Sequence, residues 1–300
     1  MKTYIVKDND ANQSVFKFLK KMYSTTPLSV IYKWFRKKDI KLNGKRISDQ
    51  KIVLKAGDEV VVYDNNDPVM RDKFEKVNYD LLDVVYEDEN ILVANKPANI
   101  EMHSEFNISL DNMVKSYLID KKEYNPEDSQ SFVVSHVHRL DKLTQGLVIY
   151  AKNKPSLDEL LDAIKTKIDK KYVLRTRVGF PKDLVAKGFI YYDQDEQLSI
   201  YTNHKNDRRA KECETDFKVL SENKDFSLVE ATLKTGRKHQ IRASVSYFNF
   251  PIINDFRYGG MKINNEKMIF LKAYKIIFHN LNAPLQYLNE TIIEISKDFK

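Results

Sequence analysis

Three short segments carry side chains whose types and spacing could do chemistry. In Ser135-His136-Val137-His138-Arg139-Leu140-Asp141-Lys142-Leu143-Thr144-Gln145-Gly146, a carboxylate sits between cations. A glycine follows that can turn the chain sharply into Leu147-Val148-Ile149. Nearby cations favour an ionised aspartate, and an ionised carboxylate can act as a nucleophile. On composition alone, a surface ion pair in a connecting loop accounts for this segment better. The second segment, Lys170-Lys171-Tyr172, opens a strand-like run. A tyrosine there can stack on a base or take part in proton transfer, although among 17 tyrosines a half-buried strand residue is the default. The third, Thr235-Gly236-Arg237-Lys238-His239-Gln240-Ile241-Arg242, leads a glycine turn into a helix whose first turns carry Arg237, Lys238 and Arg242. Open helix-starting amides with cations suit a phosphate. Arg242 falls one turn beyond Lys238, so a helix there puts both on one face. A basic surface helix has the same signature.

Other chemistries find little support. The six histidines form no metal-ligand spacing, and the one cysteine, Cys213, supports neither a disulfide framework nor a cysteine zinc site. There is no Walker-type loop and no GxGxxG, so no nucleotide cofactor is expected. No apolar run reaches the roughly 20 residues of a membrane span. The polar stretch Met1–Asp10 lacks the apolar core of a secretory leader. These features fit a soluble protein of the reducing cytoplasm.

The positioning elements follow from periodicity. Val15, Phe18, Leu19 and Met22 fall at helical spacing. After a turn through Ser24-Thr25-Thr26-Pro27, so do Val30, Ile31, Trp34 and Phe35. Asn43-Gly44 is a hairpin signal, and Gly57-Asp58 precedes a strand carrying Val60 and Val62. Asp64–Lys76 contains Pro68 and no periodicity, which marks a linker. Beyond it, strand-like runs recur at Val84–Tyr86, Ile91–Ala94, Leu147–Ala151, Tyr172–Arg177, Leu198–Tyr201, Phe217–Leu220, Phe226–Leu233, Met268–Phe278 and Thr291–Ile295. Helices are expected after a Ser109 cap, after a capping box at Ser156-Leu157-Asp158-Glu159, and over His239–Phe248. Many strands without regular strand–helix alternation argue for an antiparallel-rich α+β fold.

Charge divides the chain in the same place. Met1–Lys76 holds 17 basic and 10 acidic residues, which is the whole net charge of +7; the remainder holds 33 of each sign. A basic module facing nucleic acid and a lysine-rich solvated surface both explain such asymmetry.

Together these segments resemble the RluA family of pseudouridine synthases. His138 to Leu147 follows the family's His-Arg-Leu-Asp-x-x-Thr-Ser-Gly-Leu motif, with Gln145 in place of serine. Glu87-Asp88 through Asn95-Lys96-Pro97, then His103, is similar to its preceding segment. Lys170-Lys171-Tyr172 fits its Lys-x-Tyr strand, with Leu174 for the usual alanine. Thr235–Arg242 fits its Thr-Gly-Arg-x-His-Gln-Ile-Arg element. Phe250-Pro251-Ile252 through Asp255-Phe256-Arg257-Tyr258-Gly259 fits the next, with Phe250 for histidine. Pro27–Tyr63 resembles the S4-like RNA-binding domain of the RluC and RluD branches, and is closest to the RluC type.

The resemblance implies an S4-like α/β RNA-binding domain at 1–64 and a linker at 65–80. A pseudouridine synthase domain on a mixed, mostly antiparallel sheet would occupy 81–300. It implies Asp141 as the catalytic aspartate, Arg242 as its partner, and Tyr172 as the residue that stacks on the uracil or removes its carbon-bound proton. Arg139 would hold the RNA open. His138, Thr144 and Gly146 would be scaffold, and Gln145 a local packing change with activity retained. The RNA contacts expected besides Arg139 are Lys96, Arg237, Lys238, Arg36, Lys37 and Lys45. No cofactor, metal, membrane or DNA is implied. The partner is RNA, ribosomal before transfer RNA, with a monomer as the default. Two rivals remain at this point. One is a non-catalytic RNA-binding or ribosome-assembly protein. The other is a glycosidic hydrolase, which needs a second carboxylate such as Glu230 or Asp255 beside Asp141.

Overall fold

Apolar spacing builds the first unit as the sequence suggests. The computed structural model describes residues 1–64, 74–104, 107–126, 132–263 and 268–299. Ser14 caps α1 (Val15–Met22) by accepting from Lys17 N. Val15, Phe18 and Leu19 pack against Ile31, Trp34 and Phe35 of α2 (Leu28–Lys37). Both helices cover a sheet of β1 (Lys2–Ile5), β2 (Ile40–Leu42), β3 (Lys45–Ile47) and β4 (Glu59–Val62), in the order β1-β4-β2-β3. Asn43 and Gly44 both take positive φ, 49° and 78°, and so close β2 onto β3. β1 was not expected: its apolar residue Ile5 is exposed, so no alternation announces it. Most of the expected linker, 65–73, lies outside the described residues.

A second sheet organises the rest. Its strands are β5 (Asp83–Glu87), β6 (Ile91–Lys96), β7 (Ser135–His136), β8 (Gln145–Ala151), β9 (Ile168–Thr176), β10 (Asp183–Asp193), β11 (Leu198–Thr202), β12 (Lys211–Glu222), β13 (Ser227–Leu233), β14 (Leu271–Phe278) and β15 (Ile292–Glu294). The order is β11-β10-β12-β13-β9-β14-β8-β6-β5, with β7 beside β8 and β15 beside β14. Among the described pairs only β8–β14 is parallel, so the fold is α+β on a mixed, mostly antiparallel sheet.

Both faces of this sheet are covered. Val148 and Tyr150 of β8 point to the face packed by α3 (Leu110–Asp120) and α5 (Gln240–Tyr247). Leu147, Ile149 and Ala151 point to the face packed by α4 (Lys154–Ala163). A strand buried on both sides reads as a continuous apolar run rather than an alternating one. The units also touch each other: Phe132 N donates to Asp10 Oδ1 at 3.2 Å and Lys154 N to Asn9 Oδ1 at 3.3 Å.

Two helix expectations resolve differently. Ser109 caps α3 as expected, its side chain accepting from Asn112 N. Ser156 does not cap α4. Asn153 does, with Oδ1 accepting from Ser156 N at 3.0 Å, while Ser156 is buried inside the first turn. Pro155 explains the earlier start, since a helix's first turn needs no donor there. The eleven-residue β10 was also unforeseen, because Lys187 and Gly188 interrupt its apolar pattern. Gly188 is required: a Cβ there would lie 2.5 Å from Thr202 O.

Candidate active site

The Asp141 loop joins β7 to β8 and is held from several sides. Val137 N donates to Ile149 O, and Ile149 N donates back to His138 Nε2 at 3.2 Å. Thr144 N closes a turn onto Asp141 O at 3.0 Å, and Leu140 and Thr144 are buried beneath it. Gly146 lets the loop enter the sheet: its φ is +117° and a Cβ would sit 2.1 Å from Ala273 O on β14. His138, Thr144 and Gly146 are thus structural parts of the loop. Gln145 is buried, its Nε2 on Met268 Sδ at 2.7 Å.

Arg242 comes from α5 and meets this loop from across the sheet. Its Nη1 donates to Asp141 Oδ2 at 2.8 Å. Its Nε and Nη2 donate to Asp255 Oδ2 and Oδ1 at 2.7 and 2.8 Å. The planar guanidinium can serve both carboxylates at once because its donors form a rigid fork. Arg242 and Asp255 are buried, and the Asp141 side chain is 31% exposed. Burial opposes the Arg242 charge, but the hydrogen bonds and charge of Asp255, then of Asp141, reverse the balance and hold it firmly protonated. Among the described residues nothing hydrogen-bonds Asp141 Oδ1, so one carboxylate oxygen is clamped and the other is open.

Three neighbours complete the site. His239 Nε2 lies 3.6 Å from Asp141 Oδ2, and its Nδ1 is 2.9 Å from Tyr258 Oη. The Tyr258 ring lies 4.8 Å from the Arg242 guanidinium. Tyr172 is 6% exposed, and burial first, then the charge of Asp141, hold its phenol protonated. Tyr172 is therefore a largely buried, protonated phenol within the electrostatic reach of Asp141.

The expected RNA contacts divide. Arg36, Lys37, Lys45, Arg139, Arg237 and Lys238 are exposed. Lys96 is not: it is fully buried, and its Nζ donates to the carbonyls of Pro97, Ile100 and Lys142. That corrects its assignment to RNA, since it fastens the Asp141 loop to β6 from inside. Burial pushes Lys96 down to about 7, against the upward pull of Asp141.

The helix after Thr235 also starts later than expected. His239 takes φ 52° and turns the chain before Gln240, leaving Arg237 and Lys238 in the preceding loop. Lys238 and Arg242 therefore do not share a helix face; Lys238 Nζ sits 3.4 Å from the Tyr192 ring centroid. The loop's amides are not all open either, because the Gln240 side chain accepts from Arg237 N at 2.9 Å.

Sequence reasoning missed Asp255 as the brace of Arg242, and His239 with Tyr258. All three stood in recognised motifs. The signal for Asp255 was physical: an arginine buried to reach one carboxylate needs further acceptors for its remaining donors. The carboxylates that a hydrolase would recruit are engaged elsewhere. Both oxygens of Asp255 bind Arg242, and Glu230 binds Lys171 and Tyr274.

The chain is similar to known RNA pseudouridine synthases. A family described as RNA pseudouridylate synthase matches residues 90–247. An uncharacterised RNA pseudouridine synthase of Mycoplasma capricolum is 50% identical over 100% of this chain and 99% of its own length. A ribosomal large subunit pseudouridine synthase C of Buchnera aphidicola is 29% identical over 96% of this chain and 95% of its own. The solved human RNA pseudouridylate synthase domain containing 1 shares the fold, with a TM-score of 0.55 at 20% identity. That match covers 68% of this chain and 81% of the human one. The chain belongs to the RNA pseudouridine synthases of the RluA family.

Proposed function

We propose that this enzyme isomerises specific uridines of large-subunit ribosomal RNA and that Asp141 carries the reaction. One arrangement carries this reading. Arg242, braced by Asp255, grips Asp141 through Oδ2 and leaves Oδ1 open at the only partly exposed part of the triad.

Isomerisation breaks the bond between uracil N1 and the ribose, turns the base, and joins ribose to C5, which then loses its proton. A stacked base cannot turn, so the nucleotide must first leave the helix at a cost of a few kcal/mol. The exposed Arg139, two residues before Asp141, suits the backbone of the opened strand. Oδ1 of Asp141 then faces the extruded nucleotide, either as nucleophile or as acceptor of a sugar proton. Tyr172, which feels the charge of Asp141, is the residue assigned to stack on the uracil or to take the proton from C5. In the first unit, exposed Arg36, Lys37 and Lys45 supply a phosphate-facing surface of the S4-like kind.

The ribosomal assignment draws on the relatives named for the large subunit. Pseudouridine maps of all stable RNAs, from cells with and without this gene, test it. Loss of sites in large-subunit RNA is expected; loss confined to transfer RNA would refute the ribosomal assignment.

A further inference from the structure

The Asp141 carboxylate has a second neighbour besides Arg242, and that neighbour is itself oriented. His239 sits in the left-handed region at φ 52°, which histidine adopts more readily than most non-glycine residues. This turn aims its ring between two groups, with Nε2 3.6 Å from Asp141 Oδ2 and Nδ1 2.9 Å from Tyr258 Oη. Tyr258 is buried and tied to β11: Ser199 N donates to its Oη at 2.9 Å, and Oη is within donating distance of Ser199 O at 3.3 Å.

We propose that Tyr258 and His239 form a positioning relay in which Tyr258 fixes His239 with its proton on Nε2, so that a neutral imidazole N–H faces Asp141 Oδ2 beside Arg242. This rests on Asp141 being the reacting carboxylate.

The carboxylate facing Nε2 favours this tautomer. The Tyr258 hydroxyl accepts from Ser199 N, and its one proton has two acceptors within reach, His239 Nδ1 at 2.9 Å and Ser199 O at 3.3 Å; the relay assigns it to the shorter contact. Donation there makes Nδ1 an acceptor and leaves the ring proton on Nε2. The other tautomer would point the Nε2 lone pair at a carboxylate oxygen. Burial pushes Tyr258 up to about 12 and His239 down to about 4, which keeps the phenol protonated and the ring neutral. With Arg242 and His239 both facing Oδ2, Oδ1 is left free of described hydrogen-bond partners and available to the substrate. At 3.6 Å the contact is longer than a hydrogen bond in the free protein, so the relay requires it to shorten when RNA is bound.

Two measurements test the relay. In protein labelled with nitrogen-15 histidine, long-range proton–nitrogen spectra report each tautomer, and His239→Gln identifies the signal. The Nε2–H form is expected, with a change of tautomer population in Tyr258→Phe. An Nδ1–H form in the unmodified protein would overturn the proposal. The second measurement is single-turnover tritium release from 5-tritiated-uridine total RNA of a strain lacking the protein. His239→Ala and Tyr258→Phe should each slow the saturated rate at least tenfold, with half-saturating enzyme concentration unchanged within twofold. The double variant should be no slower than His239→Ala. His239→Gln, whose amide donor reaches the same place, should recover most of the rate. Independent, multiplying losses or wild-type rates would overturn the relay. Asp141→Asn serves as the control: if it stays active, the assignment of Asp141 itself fails, whatever the relay variants do.

Discussion

Arg242 can serve Asp141 only because Asp255 holds the other side of its guanidinium. Removing one partner of a buried pair leaves an uncompensated charge and costs about 3–5 kcal/mol. Asp255→Asn keeps the shape but halves that pairing. Urea unfolding should show a loss of about 3 kcal/mol, with turnover falling at least tenfold; an unchanged midpoint would show that the brace is dispensable. A second residue-scale prediction concerns acid. Burial pushes His138 down to about 3, while the unfolded chain protonates near the ordinary value of 6.5. Between those values the unfolded state binds a proton that the folded state refuses, so stability is full above about pH 6.5 and falls as pH drops toward 3. At pH 5 this one group removes on the order of 1–2 kcal/mol. Unfolding at pH 7 and pH 5 should show a smaller drop for His138→Gln, whose side-chain oxygen can still accept from Ile149 N. At this scale the pairing of Asp141 with Arg242 was legible because each stood in a sequence motif. Lys96 was misread because a lysine looks the same in sequence whether it faces phosphate or three buried carbonyls.

The loop that carries Asp141 depends on how β8 enters the sheet. Gly146→Ala would put a Cβ 2.1 Å from Ala273 O, so β8 must separate from β14, its parallel neighbour. A melting temperature lowered by several degrees with lost activity is expected, and a wild-type melt would show that the strands tolerate the intrusion. Element legibility followed burial. β8 was visible because both its faces are buried and it reads as one apolar run. β1 and β10 were not, since β1 is short with an exposed isoleucine and β10 alternates apolar residues with lysine and glycine. The start of α4 was misplaced because two plausible caps stand three residues apart and only the position of Pro155 decides between them.

Across the whole molecule, charge and packing pull a simple truncation in different directions. Met1–Lys76 carries the net positive charge, but Asp10 and Asn9 also accept backbone donors from Phe132 and Lys154 of the larger unit. Deleting the first unit would strip those partners along with the charge. Substitution of Arg36, Lys37 and Lys45 by Glu isolates the electrostatic part. RNA affinity should fall, and the slope of its logarithm against that of salt should drop by about two, given a slope near 0.7–0.9 per phosphate contact. An unchanged slope would mean that this surface does not meet RNA. The division of charge was readable from sequence, whereas the contacts between the units were not, because they join residues 122 and 145 positions apart.

The most direct test is of Asp141 itself. A strain lacking the gene would be complemented with wild-type protein or Asp141→Asn at equal, folded abundance, and pseudouridine in its stable RNAs mapped. The clamp on Oδ2 and the open Oδ1 predict full restoration by wild type and none by the asparagine form. Restoration by the asparagine form would contradict a catalytic carboxylate at this position.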